Sequence, residues 1–266
     1  MFATLADLET FLSGGLVGTI LGLIGGGGSV LAVPLLVHGV GVSPPHVAIG
    51  ASALAVSVSA PTNLVAHARA GSVKWPFAAV FTFAGGVGAA LGSTLAKHID
   101  GHRLLALFGA MMIVIGASML QTPKRPDKPN VRLSSASAGV LAPRRLATGL
   151  GVGALSGFFG IGGGFLAAPG LLAATAMSMI STVGTSLDSV AAFGATTGIN
   201  YALSGLIDLR VAAVSVVGGV LGGFVGVALG GRIARHKSAL RVVFAVAVMA
   251  VGVYVAARGA MAASAH

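Results

Sequence analysis

The chain has 266 residues, of which 55% are hydrophobic and 8% are charged, and its formal net charge is +10. Soluble proteins are roughly one quarter charged, so the composition excludes an ordinary soluble domain and predicts an integral, all-α membrane protein. The absence of cysteine excludes disulfides and thiolate chemistry, and because the basic residues stand singly between apolar segments we expect no nucleic-acid partner.

Six apolar stretches are long enough to cross a membrane, because roughly 20 helical residues span a hydrocarbon core of roughly 30 Å. In chain order they are residues 47–68, 75–96, 104–120, 183–204, 211–231 and 240–257. Four shorter apolar segments flank two glycine runs, namely 11–24, 30–42, 151–159 and 165–176. At roughly 13 to 21 Å as helices, none of these four crosses comfortably alone. We therefore predict a broken or re-entrant helical hairpin at each glycine run.

The two glycine runs are copies of one element, about 135 positions apart. The first reads Gly-Gly-Gly-Gly-Ser over residues 25–29, and the second reads Gly-Ile-Gly-Gly-Gly-Phe over 160–165. Pro34 follows the first run as Pro169 follows the second, and Gly71 matches Gly205. This internal duplication predicts a first membrane repeat over 1–120 and a second over 146–266. Residues 121–145, with four prolines and six basic residues, are interpreted as an exposed, mostly disordered linker.

The distribution of charge predicts the topology. If each glycine-rich pair enters and leaves on one side, 12 of the 16 basic residues fall on the side of the linker. The positive-inside rule then places the linker in the cytoplasm and both termini outside, with the two repeats inverted. If each pair crossed only once, a strongly basic loop at 232–241 would lie outside. We prefer the inverted arrangement, which in transporters brings broken helices together near the midplane.

The glycine runs carry the predicted chemistry. A helix that begins inside the membrane exposes unpaired N–H groups and the positive end of its dipole, which favours an anion. The expected substrate contacts at the two runs are Gly25, Gly26, Gly27, Gly28, Ser29, Gly160, Gly162, Gly163, Gly164 and Phe165. The competing interpretation is that these glycines only allow close helix packing. We assign that simpler role to dispersed pairs such as Gly85-Gly86.

Polar residues within the predicted spans complete the candidate site. Ser52, Asn63, Thr185, Ser186 and Asn200 offer hydroxyl and amide groups for oxyanion oxygens, although bonds between helices are an equally good explanation. Asp188 is the acid placed within a span, which makes it a candidate for proton coupling. Its equivalent in the first half is Leu54. The spacing of the histidines fits no metal site, and we expect no cofactor and no enzymatic activity.

These segments resemble the sulfite exporter TauE/SafE family, also called TSUP transporters. The resemblance rests on the duplicated glycine-rich segment that ends in proline, on the Gly-Ala-Ser and Gly-Thr-Ser that follow at 50–52 and 184–186, and on Gly-Leu-Ile-Asp at 205–208. It covers roughly residues 11 to 257. It implies a bacterial-type inner-membrane protein that moves sulfite, sulfonates, sulfoacetate or related anions.

The sequence thus predicts a secondary transporter for a small sulfur-containing anion, working by alternating access in the cytoplasmic membrane. The alternative is a passive anion channel in which the glycine-rich tips act as the selectivity filter. The expected partners are the anion, the lipid bilayer and, in one arrangement, a second copy in a homodimer.

Overall fold

The computed structural model describes residues 5–24, 26–69, 71, 73–120, 135–175, 179–233 and 237–264. Over these ranges the protein is helical and contains no β-strand. The elements of the first half are α1 (Leu5–Ile24), a 3₁₀ helix (Gly26–Leu31), α2 (Ala32–Pro34), a π-helix (Leu35–Gly39), α3 (Pro45–Arg69), α4 (Trp75–Ala96) and α5 (Gly101–Leu120). Those of the second half are α6 (Ser135–Phe159), α7 (Gly164–Thr175), α8 (Met179–Leu203), α9 (Leu209–Ile233) and α10 (Lys237–Ser264).

Five of these helices are long and apolar enough to cross a membrane, which supports a multi-pass membrane protein. They contain Pro45–Arg69, Phe77–Ala96, Gly101–Leu120, Leu209–Leu229 and Val242–Ala263, and each matches a predicted span. The remaining predicted span, 183–204, also forms a helix, α8, but α8 does not reach the same apolarity. Its polar residues Thr182, Ser186 and Thr197 are fully buried, because this side of α8 packs against other helices.

Two predicted boundaries are corrected by the structure. The first arms of the hairpins were predicted at 11–24 and 151–159, but α1 has 20 residues and α6 has 25. The predicted arms are too short because they were limited to uncharged apolar residues, whereas Asp7 and Glu9 belong to α1 and Arg145 belongs to α6. Helix α6 also includes residues 135–145 of the segment interpreted as linker. The rest of that segment, 121–134, lies outside the described residues.

The helices pair across the two halves in a regular pattern. Helix α1 packs on α9 and α4 on α6, while α3 packs on α8 and α5 on α10. If each helix is replaced by its equivalent in the other half, the α1–α9 pair becomes the α6–α4 pair. The α3–α8 and α5–α10 pairs stay the same, as expected for a duplicated chain. Glycines allow the closest contacts: a Cβ on Gly18 would overlap the carbonyl of Gly219, and one on Gly153 would overlap that of Gly85. These dispersed glycines have the packing role that was predicted for them.

The directions of the paired helices follow from the same contacts. Gly50 lies beside Tyr201 and Gly194 lies beside Ser57, so α3 and α8 are antiparallel. Helices α5 and α10 are antiparallel too, because His102 lies near Gly259 whereas Gly116 lies near Met249. In these two pairs, the equivalent helices of the two halves therefore run in opposite directions.

Each glycine-rich element is the turn of a hairpin. Gly163 lies beside Ser156 and Gly170 beside Val152, so α7 runs back along α6. In the first half, Gly28 packs on Val17 and Gly39 approaches Ser13, which gives the same return path. Each hairpin thus begins and ends at the same face of the helical bundle, with its glycine-rich turn inside the bundle.

The two faces can be defined by contacts between helix ends. An ion pair of 2.7 Å joins Arg210, at the start of α9, to Asp7 in α1, and Lys97 contacts Asn200 near the end of α8. The end of α10 lies beside the start of α5. We call this end of the bundle the termini face. The opposite end, where α5 finishes at Leu120 and α6 begins, is the linker face.

Candidate functional site

The second glycine-rich tip is a true break in the helical path. Helix α6 ends at Phe159, and Gly160, Gly162 and Gly163 adopt φ values of +68°, +63° and +82° before α7 begins. L-residues other than glycine rarely adopt this backbone. The space around the tip is equally restrictive, because a Cβ on Gly162 would lie 2.9 Å from Val56 and one on Gly163 would lie 2.9 Å from the hydroxyl of Ser156.

The first glycine-rich tip has a different backbone from the second. Gly26, Gly27, Gly28 and Ser29 lie in a 3₁₀ helix, and no positive φ occurs among these glycines. Gly28 packs directly on the backbone of Leu21 in α1. Gly25 lies outside the described residues. The repeated glycines therefore produce two unlike turns.

The structure brings the two tips together. The 3₁₀ helix of the first tip packs against α7 of the second tip and also touches α8. Val30, Ile161 and Phe165 belong to one buried apolar cluster around this contact. The first amides of α7, at Gly164 and Phe165, have no acceptor within their own helix. The meeting of the tips thus places a helix start inside the protein, as the anion hypothesis requires.

Ser52 connects the first half to the second tip. Its hydroxyl donates to the carbonyl of Ile49 at 2.9 Å and lies 3.3 Å from the carbonyl oxygen of Gly160. Its equivalent, Ser186, donates only to Val183 within its own helix among the hydrogen bonds described. Both serines are fully buried. The structure therefore places Ser52 at the second tip.

Two predicted contacts lie at the ends of helices. The hydroxyl of Thr185 accepts a hydrogen bond of 3.0 Å from the amide of Lys74, at the start of α4. The side-chain oxygen of Asn200 accepts one of 2.8 Å from Lys97 at the opposite face, while its amide group donates to Ser93 and Thr94. Both residues join helices in this structure, and the hydrogen bonds described for them do not involve the tips.

Asn63 is buried in α3 and unsatisfied. It is 1% exposed, and neither its amide nitrogen nor its carbonyl oxygen has a hydrogen-bond partner among the described residues. It lies beside Gly223 of α9, where a Cβ would be 3.4 Å from its side chain. A buried amide without a partner is costly, which distinguishes Asn63 from the well-bonded Asn200.

Further polar residues became apparent only in the structure. Ser156, Thr197 and Ser215 are buried with hydroxyls that have no partner among the described residues. Thr197 occupies the position equivalent to Asn63 by the offset of 134 that relates Gly71 to Gly205. That offset, applied to every polar residue, was the signal that would have identified this pair.

Asp188 forms a small polar cluster with α4. The hydroxyl of Thr82 donates to its carboxylate at 2.9 Å and lies 2.9 Å from the hydroxyl of Ser189. Thr82 was not singled out from the sequence, because nothing in its local pattern marks it. The cluster gives the predicted proton-coupling residue a defined hydrogen-bond donor.

A small cavity lies among α1 and α3 of the first half and α9 of the second. It has a volume of about 20 Å³, which is room for one water-sized group, and Ser52, Ser59 and Ser215 are among the residues that line it. The residues equivalent to Ser59 and Ser215 are Phe193 and Phe81, whose ring centroids lie 6.1 Å apart. At the symmetry-equivalent place, two phenylalanines thus fill the space that the two serines leave open here.

The helical bundle, its apolar outer surface and its paired internal breaks define a multi-pass membrane protein of the transporter type. The sulfite exporter TauE/SafE family model matches residues 10–255. The chain belongs to the sulfite exporter TauE/SafE family.

Known relatives agree with this class. The chain is 46% identical over 255 residues to a probable membrane transporter protein of Xylella fastidiosa (strain Temecula1 / ATCC 700964), covering 93% of this chain and 94% of the relative. It is 29% identical to the probable membrane transporter protein YunE of Bacillus subtilis (strain 168), covering 80% and 84% of the two chains. No solved structure matches the chain. The family and these names indicate a membrane transporter rather than an enzyme.

Proposed function

We propose that this protein is a secondary transporter that moves a small sulfur-containing anion, such as sulfite or an organosulfonate, across the cytoplasmic membrane by alternating access. The observation that carries the proposal is the packing of the first glycine-rich tip against α7 of the second. Two helical breaks that meet inside a membrane bundle are typical of transporter substrate sites. Unpaired amides at such a site bind an anion without a permanent positive charge.

The inverted arrangement of the halves is part of this proposal. The antiparallel packing of α3 on α8 and of α5 on α10 supports it, because equivalent elements must run in opposite directions in inverted repeats. Alternating access then follows from the movement of one repeat against the other around the tips. By the positive-inside rule, the linker face is the cytoplasmic face and the termini lie outside.

A carrier is favoured over the alternative, a passive channel. A channel requires a continuous water-filled path past the filter. Around the tips, Val30, Ile161 and Phe165 are packed in a buried apolar cluster, and the neighbouring cavity measures only about 20 Å³. This closed packing fits an occluded state of a carrier, which must rearrange to release its substrate.

Uptake into proteoliposomes tests the proposal. We expect the purified protein to accumulate labelled sulfite or a labelled organosulfonate under an imposed proton or voltage gradient, and empty vesicles to show no such uptake. Gly162→Val should abolish uptake, since the site has neither the backbone freedom nor the space for a side chain. Gly151→Ala is the matched control, because a Cβ at Gly151 meets nothing within 4 Å. Failure of every sulfur anion under every gradient would refute the substrate assignment.

A further inference from the structure

A second cavity, which we call the basic vestibule, opens at the termini face. Its volume is about 490 Å³, and the residues that line it include His38, Ser43, His102, Arg258, Val37 and Leu105. The three basic side chains come from the π-helix, from α5 and from α10. The vestibule is therefore assembled from both halves of the chain, away from the serine-lined cavity.

Arg258 gives the vestibule a positive charge, and it forms no salt bridge among the described residues. Three acids at the same face have other partners, although Asp100 also attracts the imidazole of His102. Asp7 pairs with Arg210, while Asp100 and Asp208 accept hydrogen bonds from the first amides of α5 and α9. The amide of Arg103 is the main cause that holds the pKa of Asp100 below its usual value.

His38 adds an imidazole to the lining of the vestibule. Its ring packs edge-on against Tyr254 at 5.2 Å and lies beside the backbone of Pro34, one turn earlier in the chain. It lies in a π-helical turn, Leu35–Gly39, and such turns are frequent at functional sites. The neighbouring Val37 lines the vestibule, whereas Leu36 lines the small cavity. The return arm of the first hairpin thus separates the two cavities.

We propose that the basic vestibule binds an oxyanion group, a sulfonate, sulfate or phosphate, through Arg258 together with His38 and His102. A guanidinium beside imidazole groups is suited to the oxygens of such an anion. That this anion would be the transported substrate rests on the proposed transport function, but the binding of an oxyanion at the vestibule does not. The same chemistry is offered by a free anion and by a lipid headgroup.

Because the chain lacks cysteine, a single introduced thiol is a specific reporter. Ala262→Cys places it in the lining of the vestibule. The reaction rates with a sulfonate-bearing and a trimethylammonium-bearing methanethiosulfonate are compared in protein with and without Arg258→Gln. We expect Arg258→Gln to lower the anionic-to-cationic rate ratio roughly 3- to 10-fold, the effect of one nearby charge.

The control thiol is Leu203→Cys, an exposed position at the same face that is not in the lining of the vestibule. There Arg258→Gln should leave the rate ratio unchanged. Inorganic sulfate should slow modification of Ala262→Cys in the arginine-containing protein and not in Arg258→Gln. An unchanged ratio at both thiols, with no protection by sulfate, would overturn the proposal even if the protein transports anions.

Two environments identify the source of the oxyanion. In a phosphate-free detergent, sulfate protection is expected whether the natural occupant is a free anion or a lipid. In phospholipid nanodiscs, protection that persists identifies a free anion, whereas protection that is lost while the thiol reacts slowly from the outset identifies a bound headgroup. Both results support an oxyanion site. Absence of protection in detergent contradicts it.

Discussion

The hydroxyl of Ser52 lies 3.3 Å from the carbonyl oxygen of Gly160, which follows it by 108 residues. This contact links α3 of the first half to the glycine break of the second. Because the break lacks regular helical hydrogen bonds, a side-chain donor at this point helps to fix its backbone.

Ser52→Ala should therefore weaken the second tip. We expect a loss of about 1 kcal/mol of stability, the usual value for one hydrogen bond, and a clear fall in uptake rate. For stability, Ser186→Ala is the matched control, since its described hydrogen bond stays within its own helix. Thermal unfolding in detergent measures stability, and uptake by proteoliposomes measures transport. Equal losses of stability for both variants would show that the contact with Gly160 has no special role.

Gly163→Ala should destabilise the protein by about 1–3 kcal/mol, because the residue has a φ of +82° and its Cβ would press on Phe193. Gly151→Ala should be neutral or stabilising by up to about 1 kcal/mol, since Gly151 is helical and faces open space. Melting temperatures of the two variants provide the comparison. If Gly163→Ala melted at or above the wild-type temperature, the break would not require glycine.

Replacement of the two asparagines should change the stability of the protein in opposite directions. Asn63→Leu removes a buried amide without a partner, so we expect stability to rise by about 1–3 kcal/mol while transport is lost. Asn200→Ala breaks the contacts with Lys97 and Ser93 and should lower the melting temperature with little change in KM. An increase in KM for Asn200→Ala would instead support its predicted contact with substrate.

If Asp188 couples proton movement, Asp188→Asn should remove the response of uptake to a proton gradient but preserve exchange of anion for anion. Thr82 acts as a positioning residue through its hydrogen bond to the carboxylate. Thr82→Val should shift the pH profile of uptake, and Thr82→Ser should restore it. Proton-driven uptake that survives in Asp188→Asn would exclude this role.

Much of the fold was predictable because membrane spans are encoded by long apolar stretches. The duplication was equally visible, since Pro34 and Pro169 or Gly71 and Gly205 recur at a constant offset. The pairing of α1 with α9 was not predictable, because it depends on glycines such as Gly18 and Gly219 meeting across the halves. Local sequence does not report such contacts.

The candidate site was less accessible to sequence reasoning. Identical glycine content gave a 3₁₀ helix at Gly26–Leu31 and a left-handed break at Gly160, because the neighbouring side chains and their packing decide the backbone. Thr185 and Asn200 resembled site residues by their depth in a span, yet they bond to Lys74 and Lys97 near helix ends. Residue type predicts hydrogen-bonding capacity, but the partner depends on the fold.

Counterflow in proteoliposomes tests the central claim most directly. Vesicles loaded with unlabelled sulfite are diluted into a trace of labelled sulfite, with both membrane potential and pH gradient abolished. A carrier predicts a transient accumulation of label above its outside concentration, since internal sulfite drives exchange through the site between the tips. Accumulation should be absent with Gly162→Val and retained with Gly151→Ala. Label that only equilibrates, without overshoot, would contradict the carrier and indicate a channel.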